Sequence, residues 1–215
     1  MEAIERITPN NDWITLIFLG IFFLIASASL IDKERLRQLF ILPFDNYYVL
    51  NYDSSNKDTF TILLFIASNL IFGLFIYFLG VEFSTDTHRF TPYGFLKTLI
   101  IIILYWFFKY ASGQFIAFLF EITKSQSKLL FLKASYFFSS NLSLLFFLIF
   151  SVYLFDNNRT FLLISSIVYL LLLVIRYYHF LSQYKREIMA RFFYFILYLC
   201  ALEIAPLLIA IKIGF

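Results

Sequence analysis

The sequence predicts an all-α polytopic membrane protein, a bundle of six transmembrane helices forming one integral membrane domain over 1–215, with a short amphipathic cytoplasmic helix after the first. Three observations carry that expectation. Of the 215 residues 61% are hydrophobic and only 14% charged, with 31 Phe and 15 Tyr, a balance that needs lipid as solvent. Six segments approach the roughly 20 apolar residues that cross about 30 Å of hydrocarbon. Lys and Arg crowd into alternate connections, as the positive-inside rule requires of a multi-pass chain.

The first segment covers about 13–31. The residues before it, MEAIERITPNND, set Glu2, Glu5 and Asp12 against Arg6, the wrong charge for the start of a cleavable signal peptide, so this segment is expected to stay in the mature chain. Between Lys33 and Leu42, Leu36, Leu39 and Phe40 fall on one side of a short helix and Lys33, Arg35 and Arg37 largely elsewhere, ending before Pro43. This stretch reads either as an interfacial amphipathic helix or as a basic flank that fixes topology. Both readings put Arg35 and Arg37 at the cytoplasmic interface. The second segment covers about 59–81. The third, about 93–120, is long and interrupted by Lys109 and by Ala111-Ser112-Gly113-Gln114. That interruption marks a bend or a close crossing, because Gly113 and Ala117 form a small-x-x-x-small pair. The fourth, fifth and sixth segments cover about 134–155, 161–180 and 191–213.

Charge orients these segments. The first, third and fifth connections hold Lys33, Arg35, Arg37 and Lys57, then Lys124, Lys128 and Lys133, then Arg176, Lys185, Arg186 and Arg191. The N-terminal tail, the second and fourth connections and the C-terminal end hold Arg6, Arg89, Arg159 and Lys212. Eleven against four predicts a cytoplasmic-membrane protein with both termini periplasmic. Tyr177, Tyr178 and Tyr184, beside Lys185 and Arg186, read as an aromatic and basic anchor at the inner interface.

Several function classes are disfavoured. A net charge of +3 is too small for the concentrated basic face of a nucleic-acid partner. His88 and His179 are expected on opposite sides of the membrane, Cys200 is the single cysteine, and no metal-ligand spacing joins them, so no metal or cofactor is expected. No G-x-S-x-G occurs, and Ser68, Ser139, Ser140 and Ser143 read as helix-packing residues rather than nucleophiles. Ala67-Ser68-Asn69-Leu70 echoes Ser139-Ser140-Asn141-Leu142, a pattern that either duplication or chance produces in so biased a chain.

The candidate site is an intramembrane polar cluster of Glu203, Arg176, Lys109, Gln114, Asn69 and Asn141, with Pro206 as a helix kink. Glu203 lies about 18 Å above the boundary at Arg191, near mid-bilayer. Arg176 and Lys109 lie about 8 Å above the same boundary, within side-chain reach of it. Three readings stay open. Glu203 is paired or neutral and fixes which helices touch; or it relays protons or binds a cation, with the Leu202 carbonyl freed by Pro206 as an extra ligand; or it meets a cation from another subunit.

With Asp12-Trp13 opening the first helix, R-L-R-Q-L-F at Arg35 to Phe40, and the closing F-I-L-Y-L-C-A-L-E-I-A-P-L-L at Phe195 to Leu208, the chain resembles an uncharacterised family of multi-pass inner-membrane proteins of Bacteroidota, a domain of unknown function. The resemblance implies location in the cytoplasmic membrane of a diderm bacterium and no activity. Lys109 and Gln114 match no family pattern. The expected function is a non-enzymatic inner-membrane subunit or assembly factor, with the lipid bilayer and other inner-membrane proteins as partners. An envelope machine for secretion or gliding is implied by lineage alone. The alternative is a small secondary transporter or proton-coupled carrier that uses the Glu203, Arg176 and Lys109 cluster.

Overall fold

The computed structural model describes residues 12–42, 59–83, 91–119, 123–154 and 159–190, with the side chains of 115–119, 123–129 and 176–190 excepted. Six helices occupy them: α1 (Asp12–Ile31), α2 (Lys33–Ile41), α3 (Thr59–Phe83), α4 (Pro92–Leu119), α5 (Thr123–Tyr153) and α6 (Arg159–Ala190). The long ones form because their apolar runs leave the backbone no polar partner in hydrocarbon except its own carbonyls.

Two apolar clusters, stacked along the bundle, fix the helix directions. At one end Ile14 and Phe18 of α1 meet Leu74 and Phe78 of α3 and Leu145 and Leu148 of α5. At the other, Ala28 of α1 meets Phe60 and Leu64 of α3 and Leu132 and Tyr136 of α5. Hence α1 runs antiparallel to α3 and α5, which are parallel to each other. In α4, Phe95 packs against Tyr77 and Trp106 against Phe65, so α4 also opposes α3. Leu162 and Tyr169 bring α6 into the first cluster, where Tyr169 stacks near Phe72 and Phe75. The spans of α5 and α3 are the most enclosed, while those of α1 and α4 present most of their surface outward.

The expectation of six transmembrane helices is corrected here. Among the described residues four helices are long and apolar enough to cross a membrane: Asp12–Ile31, Thr59–Glu82, Pro92–Gln114 and Leu130–Tyr153. Although α6 has 32 residues, its apolar part, Arg159–Ile175, falls in the 10–17-residue class. At helical rise that is about 25 Å against a core of about 30 Å. The described side chains of α6 end at Ile175, and beyond it the sequence turns to Arg176, His179, Gln183 and Lys185. The expected sixth segment lies outside the described residues.

The third segment is one continuous helix through Ser112 and Gly113, and Ser112 Oγ donates to the carbonyls of Phe108 and Lys109 at 2.7 and 3.2 Å. The fourth begins eleven residues before Ala134, at Thr123, because a helix continues into water where Lys124 and Lys128 no longer read as a span.

Helix α2 is real and bears on the bundle. Asp32 caps it, its carboxylate accepting from the Arg35 N–H at 2.9 Å. Leu36 and Leu39 are buried as expected, and so is Arg35, 4% exposed. Its guanidinium lies 4.8 Å from the centroid of the Phe60 ring, a cation–π contact. Phe40 is instead partly exposed. The buried face is therefore rotated toward Arg35 and away from Phe40, leaving Arg37 outward.

The opposite end is closed by a clasp between α3 and the start of α4. Thr91 caps α4, with Pro92 at the first helical position, where its missing N–H costs nothing. Thr91 Oγ1 accepts from the Gly94 N–H at 3.2 Å. Tyr77 Oη donates to the Thr91 carbonyl at 2.9 Å and accepts from the Thr91 N–H at 2.6 Å. A Cβ at Gly94 would lie 2.9 Å from Tyr77 Cε2, so glycine is what lets the ring approach. Trp13 packs on both Tyr77 and Phe95, with centroids at 6.0 and 5.8 Å, tying α1 to the same point.

Gly94→Ala is expected to destabilise the bundle by about 1–3 kcal/mol through this overpacking, and by clearly less when Tyr77 is already Leu. Unfolding in mixed micelles by SDS titration measures both, and additive effects would show that the Tyr77 ring is not what Gly94 accommodates.

Candidate functional site

The described polar residues fall into two groups, a buried seam and a groove. In the seam, donors turn back on their own helices. Asn69 Nδ2 donates to the Phe65 carbonyl at 2.7 Å and Asn141 Nδ2 to that of Phe137 at 2.9 Å. Ser135, Ser140 and Ser165 do the same to Phe131, Tyr136 and Phe161. All five are buried, and each satisfies its donor four residues back, so small side chains let helices approach without stranding a polar hydrogen. The two asparagines of the Ser-Asn-Leu echo share this geometry. They sit on parallel helices, α3 and α5, whose packing is tied nearby by Phe72 against Phe137 at 5.8 Å. Their Oδ1 atoms, with Ser139 Oγ and Ser151 Oγ, are buried without a hydrogen-bond partner among the described residues.

The groove runs between α3, α4 and α5 and has a volume of about 580 Å³, within the roughly 300–1,000 Å³ usual for small-molecule sites. Leu99, Ile103, Trp106 and Tyr110 line it from α4, a spacing of four, three and four that puts them on one side of the helix. Phe65, Asn69 and Leu70 line it from α3, and Ala134 and Phe137 from α5. Two cations complete the wall, Lys109 from α4 and Lys133 from α5. Lys109 Nζ donates to Tyr105 Oη at 3.4 Å and lies 5.5 and 5.4 Å from the Tyr105 and Trp106 ring centroids, held over aromatic faces. Trp106 in turn packs edge-on against Phe137 at 5.0 Å and Phe65 at 6.2 Å, bridging the three helices.

Of the expected cluster, Lys109 and Asn69 come together in this groove. Asn141 belongs to the seam, and Gln114 is exposed near the end of the α4 span, donating to Tyr110 Oη at 3.2 Å. Arg176 lies on α6, but its side chain is outside the described residues, as are Glu203 and Pro206. Lys133, assigned from sequence only to topology, proves to face Lys109's groove. Its signal in the sequence was the apolar run Leu129-Leu130-Phe131-Leu132 on its N-terminal side. Among the described residues no group of three or more His, Cys, Asp or Glu side chains assembles.

Four spanning helices packed around two apolar clusters define a multi-pass α-helical integral membrane protein. The chain belongs to the family described as a domain of unknown function (DUF4271), whose model matches residues 14–213. No curated protein and no solved structure matches it.

Trp106→Ala is expected to cost about 2–3 kcal/mol of stability in micelles, below the full-burial range because the ring is only partly enclosed. Phe107→Ala, on a ring 65% exposed, is expected to stay within about 0.5 kcal/mol. Thermal unfolding of the two variants, side by side, gives the comparison.

Proposed function

We propose that this chain is a non-enzymatic subunit or assembly factor of an inner-membrane complex, acting by packing against other membrane proteins. The observation that carries the reading is the use made of the intramembrane donors: Asn69, Asn141, Ser135, Ser140 and Ser165 all bond their own helix carbonyls, a device for close helix contact rather than for chemistry. The outward-facing span of α4, with Ile100, Leu104 and Phe108 exposed, offers a long apolar surface to lipid or to a neighbouring helix. A bacterial envelope machine of Bacteroidota is the context suggested by the sequence resemblance alone. A second reading, a small carrier, is favoured by one observation, the placement of Lys109 and Asn69 in a common groove; Glu203 would be its titrating group.

In either case the end bearing α2, Lys109 and Lys133 is the cytoplasmic one by the distribution of positive charge, which puts the N-terminus in the periplasm. The periplasmic C-terminus expected from the sequence lies outside the described residues.

Two measurements test these statements. Mild-detergent extraction from native membranes is expected to give a particle containing stoichiometric membrane partners, and an isolated monomer with none would overturn the subunit reading. With Cys200 replaced by Ser, a cysteine at Arg37 is expected to resist membrane-impermeant maleimide in intact spheroplasts and to react after lysis. Labelling before lysis would reverse the orientation.

A further inference from the structure

Two polar atoms of residues that line the groove are buried without a hydrogen-bond partner among the described residues, Asn69 Oδ1 and Trp106 Nε1. They are of opposite kind. Asn69 is 7% exposed and its Nδ2 already donates to the Phe65 carbonyl at 2.7 Å, so the amide has an acceptor left to fill, whereas an indole N–H can only donate. Both flank Phe65, since Trp106 packs edge-on against its ring at 6.2 Å. Away from water an unmet acceptor and an unmet donor each cost free energy, and these two do not satisfy each other. The groove around them fits a flat apolar body. Trp106 meets Phe137 edge-on at 5.0 Å as well, and such rings take a further aromatic ring in offset or T-shaped geometry. The volume of about 580 Å³ suits a single small ligand. Ile66 and Ile103, 44% and 51% exposed, border an opening toward the hydrocarbon through which an apolar tail leaves.

We infer that this groove is a binding site for a lipid-soluble hydroquinone, a flat ring with an apolar tail, one hydroxyl donating to Asn69 Oδ1 and a ring oxygen accepting from Trp106 Nε1. Complementarity of partial charge selects the occupant. A hydrocarbon chain meets neither atom. An ether or an oxidised quinone brings acceptors alone, which satisfies the indole but sets a lone pair against the amide oxygen. The hydroquinone brings both a donor and an acceptor, and a site built around a buried polar group rejects an analogue that lacks the matching hydroxyl more strongly than an apolar pocket rejects a change of size. This goes beyond the subunit reading and does not depend on it.

The full chain, purified in detergent and immobilised on scintillation beads, is titrated with tritiated decylhydroquinone under argon. Unlabelled decylhydroquinone, its quinone, its dimethyl ether and decylbenzene then compete. The labelled compound is expected to bind saturably. The quinone and the dimethyl ether are expected to compete about tenfold more weakly, the loss that follows when a buried acceptor is denied its donor, and decylbenzene about a hundredfold more weakly, because it meets neither atom. Asn69→Leu should erase the difference between the hydroquinone and its dimethyl ether, and Trp106→Phe that between the dimethyl ether and decylbenzene. Asn141→Leu removes an amide of the same self-bonded geometry that does not line the groove; it should keep both differences, which separates a lost contact from a loosened fold. The competition series on the unaltered chain needs no variant to fold. Equal competition by the hydroquinone and decylbenzene there overturns the assignment, since the groove then takes any apolar molecule. Absence of saturable binding also overturns it, and means that water, lipid or this chain's own remaining residues meet the two atoms. A preference for the hydroquinone that survives Asn69→Leu overturns it as well, because the ligand then sits elsewhere.

Discussion

In hydrocarbon a polar group finds no water, and while the Ser139 and Ser151 hydroxyls and the Trp13 and Trp106 indoles are buried without a partner among the described residues, this molecule keeps many of its polar hydrogens paired within one helix. The backbone does so through its own ladder. The side chains extend the rule: an amide or hydroxyl that turns to the carbonyl four residues back needs nothing from a neighbour. Helices carrying such residues can then be pressed together by their apolar surfaces alone, and the most enclosed helix, α5, is the one that carries most of them. Dispersion between closely fitted side chains supplies the cohesion here, because lipid tails are as apolar as the residues they would replace.

That division of labour explains where directional contacts do occur. They gather at the two ends of the bundle, where apolar packing gives way to water. At one end the Tyr77 hydroxyl is both donor and acceptor to the backbone of Thr91. Nearby Tyr153 Oη donates to Thr15 Oγ1 at 2.8 Å, linking α5 to α1. At the other end Arg35 is covered against Phe60 and Lys109 over two rings. The middle is left to apolar packing and to the self-bonded seam.

How much of this was legible in the sequence depended on the range of the interaction concerned. Apolar runs located α1, α3 and α4 to within two residues, because a span is a local property of composition. The same criterion missed the first turns of α5, where a helix leaves the hydrocarbon but not its hydrogen-bond ladder. Helical spacing found α2 but turned it wrongly. The contact that buries Arg35 is made with Phe60, twenty-five residues on, and a helical wheel contains no such neighbour. Thr91-Pro92 is a readable helix start, whereas Tyr77 as its partner is a tertiary fact. Lys109 stood out as a charge within a span, and Lys133 did not, because it lay in a connection already explained by topology. Glu203, the most conspicuous residue of the sequence, lies outside the described residues, and the site that emerged instead rests on two lysines and a tryptophan.

The clasp at Gly94 has a mechanical side. Helix α4 is the least enclosed of the four spans, and its first turn is pinned by directional bonds to Tyr77, while the lysine-bearing mouth of the groove lies about 25 Å further along. A rod held at one end and leaning on a soft flank behaves as a lever. A tilt of roughly 5° about the pinned end shifts the far end by about 2 Å over that length, comparable to the difference between an aromatic contact and a gap. How firmly one tyrosine grips one threonine on the opposite face of the membrane therefore bears on the width of the mouth, alongside the contacts of Trp106 with Phe65 and Phe137.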